Sequence, residues 1–122
     1  MIIKPNMTIR EFQGKFHEKF QGLRIEFYSN AHAKNQASAA ETRISADTTI
    51  GDLSDKMGDG IDITFNLEDS VNSVEQHFEK AYGLHIQIFR RSNRLWLQTS
   101  ATDEWSLDKQ NTKGLHSIQP EN

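Results

Sequence analysis

A chain of 122 residues, 25% of them charged and with a formal net charge of -3, has room for one domain with one core. The absence of cysteine excludes a disulfide framework, a thiol nucleophile and the commonest zinc sites. The acidic balance supplies no overall field for DNA or an anionic membrane, and no apolar run approaches the roughly 18 residues of a membrane-spanning helix.

In chain order, Met1 to Asn6 lack the apolar stretch of a signal peptide, and the expected location is cytoplasmic. Thr8-x-x-Glu11 fits a capping box, with Met7 and Phe12 as its hydrophobic staple, and it opens a helix with Ile9, Phe12, Phe16 and Phe20 on one face. Gly22 is expected to stop this helix, and Leu23, Ile25 and Phe27 then alternate with polar neighbours as a strand. Residues 30–41 carry no large apolar side chain and read as a mobile polar loop. A short strand is expected at Thr42 to Ala46, then a short helix opened by Thr49-x-x-Asp52 with Ile50, Leu53 and Met57 inward. After the turn at Gly58-Asp59-Gly60, Ile61, Ile63 and Phe65 alternate as a third strand.

The next segment echoes the first. Ile9, Phe12, Phe16 and Phe20 recur at one offset as Val71, Val74, Phe78 and Tyr82. Gly22, Leu23, Ile25 and Phe27 recur, one residue closer, as Gly83, Leu84, Ile86 and Ile88. The expectation is an internal helix–strand duplication covering 8–28 and 70–89. A hairpin follows, its turn near Ser92-Asn93 and its second strand reaching Thr99. A last helix is expected to be capped by Thr102 or Asp103, to carry Trp105 and Leu107, and to end at Gly114, with 115–122 as a flexible tail.

These elements predict a single α+β domain over 1–122. Its mainly antiparallel sheet has about five strands, with helices packed on one face, in the order α-β-β-(short α)-β-α-β-β-α. That order of elements is similar to the order in the small acidic chaperones of bacterial type III secretion, a likeness of fold alone.

The hairpin supplies the candidate binding surface: Phe89, Arg90, Arg91, Arg94 and Trp96. By the period of two, Ile86, Ile88, Leu95 and Leu97 share one face, and His85, Gln87, Phe89, Arg91, Trp96 and Gln98 share the other. Aromatic rings beside arginines suit stacking on single-stranded nucleic acid, yet the same rings form a cross-strand pair if a helix covers them. At least one of Phe89 and Trp96 is expected to be covered. His17, His32, His77, His85 and His116 have no metal-ligand spacing, and the acidic residues from Asp52 to Asp69 lack a calcium-loop pattern. No catalytic group, cofactor motif, nucleophile elbow or phosphate loop stands out, so no cofactor is expected. The leading expectation is a non-enzymatic protein-binding module, with a protein partner or self-association through a sheet edge or apolar groove. The alternatives are single-stranded nucleic-acid binding by the 85–98 hairpin, and a small enzyme of unmarked type.

Overall fold

The computed structural model describes residues 1–31 and 34–118. Eight elements follow in order: β1 (Ile2–Ile3), α1 (Ile9–Lys19), β2 (Leu23–Tyr28), β3 (Ile61–Asp62), α2 (Val71–Tyr82), β4 (His85–Ser92), β5 (Leu95–Gln98) and α3 (Leu107–His116). Short 3-10 turns lie at Ala40–Thr42, Ile50–Asp52 and Ser100–Thr102. The strands form two antiparallel sheets, a three-stranded β2-β4-β5 and a two-stranded ribbon β1-β3. In the larger sheet Ile25 faces Ile88 and Phe27 faces Ile86, and β4 turns back on β5 with Arg91 opposite Trp96.

The α+β class stands, whereas the single sheet of about five strands does not. Two causes are visible. Ile2–Ile3 forms an unanticipated strand that takes Ile61–Asp62 as its partner. The free edge of β2 is closed: Gln13 Nε2 donates to the Ile25 carbonyl, His17 Nδ1 to the Leu23 carbonyl and the Ile44 N–H to the Phe27 carbonyl. With its acceptors occupied, β2 has no place for another strand. The strand expected at Thr42 to Ala46 shrinks to one bridge between Tyr28 and Arg43. The observed order therefore departs from the chaperone-like order read from the sequence.

The two helix starts follow from their caps. The Thr8 hydroxyl accepts from the Glu11 N–H, and the Ser70 hydroxyl accepts from the Ser73 N–H. Both stripes turn inward: Ile9, Phe12, Phe16, Phe20, Val71, Val74 and Phe78 are buried, and Tyr82 is half-buried. The rings of Phe12, Phe16, Phe65 and Phe78 meet at centroid separations of 5.4 to 6.4 Å and form the centre of the core. α1 packs on β2, α2 on β4, and α3 on both.

The structure does not support the helix–strand duplication expected over 8–28 and 70–89, because the two junctions are built differently. Gly83 caps α2 in the left-handed conformation, φ 65°, as a C-terminal glycine does. Gly22 caps nothing, because α1 ends at Phe20 with φ -127°. Gly22 is instead pressed against α3: a Cβ there would lie 2.4 Å from the Asn111 carbonyl oxygen, and one on Gly114 would lie 2.4 Å from the Gly22 carbonyl oxygen. Gly114 accordingly sits inside α3 and does not end it. The helix continues to His116 from an N-cap at Ser106, not at Thr102 or Asp103. Ser117 then ties the helix to the hairpin, its hydroxyl donating to the Arg91 carbonyl and accepting from the Asn93 N–H. Of the tail expected at 115–122, residues 119–122 lie outside the described residues, as do 32 and 33 of the loop expected at 30–41.

The close approach yields a prediction. Gly114→Ala gains helix propensity but forces α3 away from Gly22. The net result expected in denaturant titration is a loss of about 1–3 kcal/mol. A variant as stable as the parent would contradict the contact.

Candidate binding surfaces of the hairpin

The β4–β5 hairpin turns through Asn93, which takes φ 56°. The bond from the Thr99 N–H to the Ile88 carbonyl sets the alternation along β5. Trp96 and Gln98 therefore direct their backbone N–H and C=O groups away from β4. The Gln98 side chain pairs with both backbone groups of Ser38, at 2.8 and 3.0 Å. Among the described residues, no partner pairs with the Trp96 N–H or carbonyl. β5 is thus the open edge of the larger sheet.

The candidate residues divide between the two faces. On the helix side, Arg90 leaves the cluster: its Nη1 donates to Gln110 Oε1 at 2.9 Å, and its guanidinium lies over the Trp105 ring. Lys109 Nζ approaches the same ring to 4.0 Å. Leu97, opposite Arg90, and Leu95 share this face but overhang the core, at 42% and 65% exposure. On the outer face, Arg91 lies over the Trp96 ring while its Nε donates to the Asn93 carbonyl. The Trp96 ring also meets His17 of α1 edge-on, with centroids 5.9 Å apart. Phe89 is half-buried between Arg24 and Gln98, and Arg94 is exposed at the turn.

The three arginines read together in the sequence therefore have no common target. The outer face gains other residues that the hairpin alone did not reveal. Arg10, Gln13, Gly14, His17, Arg24 and Trp96 line one depression of about 280 Å³. A second, of about 410 Å³, shares Gly14 and His17 and adds Arg91. Arg10 is paired with Asp47 at 3.1 Å, and Arg24 with Glu26 at 2.6 Å. His17 donates through Nδ1 to a carbonyl, which leaves Nε2 as the acceptor of the neutral ring. The helix periodicity of Arg10, Gln13, Gly14 and His17 was the available signal for this face.

Beyond Gln98 the sheet is completed by side chains. Where β5 leaves β4, Glu75 Oε2 of α2 accepts the Ile88 N–H at 2.9 Å. Glu75 is only 3% exposed, and burial, with the Asp103 charge as a smaller contribution, pushes its carboxyl up to about 8 despite that hydrogen bond. Asp103 Oδ2 accepts the Asn35 N–H, and Ser38 Oγ donates to Gln87 Oε1. Asn35 and Ser38 of the polar loop are thus tied to this buried row.

Elsewhere, Phe27, Tyr28, Asp52, Leu53 and His85 contribute to a depression of about 260 Å³. Burial, then the Glu26 charge, raises the Tyr28 phenol to about 12, so it is a poor nucleophile near neutrality. No hydrogen bond joins Tyr28, Asp52 and His85 among the described residues, so the nucleophile–base contact of a catalytic pair is missing there. Among the described residues no group of three or more His, Asp or Glu side chains is placed to hold a metal ion, and no helix is long and apolar enough to cross a membrane. No protein-family model, curated protein or solved structure matches the chain.

Proposed function

We propose that this protein is a non-enzymatic binding module that takes an extended, acidic segment of a partner protein along β5. The observation that carries this reading is the open β5 edge, with Leu95 and Leu97 exposed beside it. An added strand would satisfy the Trp96 N–H and carbonyl, and its apolar side chains would cover the two leucines. Arg94 at the start of the strand, with Arg90 and Lys109 flanking the leucine face, favours carboxylates on the incoming segment. The opposite edge, on β2, is blocked by Gln13, His17 and Ile44.

A library of peptides alternating apolar and acidic residues tests the reading. Binders are expected to shift the Trp96 and Gln98 amide resonances and to lose affinity when Leu97→Glu is introduced. The fold tolerates that change, because Leu97 is outside the core. Shifts confined to other elements, or affinity indifferent to Leu97→Glu, would exclude the edge. Light scattering on the protein alone reports whether a second copy occupies the same strand.

A further inference from the structure

Gly14 has no explanation within the chain. It lies in the middle of α1, where glycine weakens a helix relative to alanine, and nothing lies within 4 Å of where its Cβ would stand. Gly22 and Gly114, by contrast, are required by the contact of two backbones. The space left at Gly14 opens on the outer-face cleft, because both depressions there share Gly14 and His17.

Arg10, Arg24 and Arg91 line the cleft, with Glu18 beside them. Arg10 and Arg24 already hold Asp47 and Glu26. Arg91 makes no ion pair with a carboxylate among the described residues; it donates to a backbone carbonyl and rests on Trp96. An arginine that keeps its charge uncompensated beside an indole suits a ligand carrying an anion and a flat ring together.

We propose that the cleft between α1 and the outer face of the sheet binds a nucleoside phosphate, free or within a single strand. Arg91 holds the phosphate, Trp96 flanks the base, and the missing side chain at Gly14 lets the flat group lie against the helix. This site is independent of the β5 edge, since it uses the Trp96 ring and α1 and not the strand's backbone or leucines.

Calorimetric titration with adenosine monophosphate, a short oligothymidylate and inorganic phosphate tests it. Saturable binding of a nucleotide probe, weakening with salt, is expected, with about a tenfold or greater loss in Trp96→Leu. Preference for the mononucleotide assigns a free ligand, and preference for the oligonucleotide assigns a strand. Gly14→Ala is expected to raise the melting temperature while weakening binding, a combination that damage to the fold cannot produce. Binding of neither nucleotide, binding of phosphate as tight as that of nucleotide, or affinity unchanged in both Gly14→Ala and Gly14→Leu would overturn the proposal.

Discussion

Phe16→Ala is expected to remove about 3–5 kcal/mol of stability, a large fraction of what a domain of this size possesses. The ring is fully buried and meets Phe12, Phe20 and Phe65, with centroid separations of 6.4, 5.2 and 5.4 Å. Its deletion loses the transfer free energy of the ring and leaves a cavity lined by other rings that are themselves held on both sides. Phe78→Ala carries a similar expectation, because that ring meets Phe12, Phe65 and Tyr82. The two substitutions share Phe12 and Phe65 as neighbours. Their combined effect should therefore depart from the sum by about 0.5 kcal/mol or more. Urea titration of the parent, both single variants and the double variant measures each quantity. A loss below about 1 kcal/mol for either single variant would mean that the aromatic cluster is not the centre of the core.

The second large effect is a dependence on pH. In the unfolded chain Glu75 titrates in the ordinary carboxyl range, near about 4.3, whereas in the folded protein burial raises it to about 8. Between these values the folded state holds a proton that the unfolded state has released. Stability from this group is therefore complete in mild acid, falls as pH rises through the window, and is fully lost above about 8. The separation corresponds to about 3–5 kcal/mol. Glu75→Gln keeps an oxygen for the Ile88 N–H and removes the titration. The variant should match the parent at about pH 4, exceed it increasingly up to about pH 8, and gain nothing further above that. Parallel denaturation curves for the two proteins across that range isolate Glu75 from every other carboxylate. A constant difference between them would show that Glu75 is ionised throughout.

Much of this fold is written locally. Thr8 and Ser70 cap their helices by contacts three residues away, and Gly83 adopts the positive φ that its place after an apolar stripe implies. Gly22 and Gly114 were misread because their meaning is tertiary: each is small for the sake of the other, across most of the chain. β1 is not legible because a two-residue strand has no period to detect, while its partner at Ile61 is where the alternation puts a strand, though a shorter one. Of the candidate surface, the alternation placed Arg91 and Trp96 on one face. The same alternation puts Arg90 on the opposite face with Ile86 and Ile88, where Gln110 of α3 receives it. Glu75 did leave a trace, as an acid lying within the helical stripe of Val71, Val74 and Phe78. Its role in replacing a strand at Ile88 depends on where β5 stops, and that end is set by Thr99.

The asymmetry of the two sheet margins has a consequence for valency. A sheet with two receptive margins can polymerise, since every unit added presents a fresh margin to the next. Here side chains of α1 and the Ile44 amide seal β2, so among the described residues the β2-β4-β5 sheet offers one receptive margin. If β5 accepts a strand, foreign or from a second copy, that sheet saturates at one. Paired copies would bury each other's β5 margin and close into a dimer, leaving that sheet no template for a fibre.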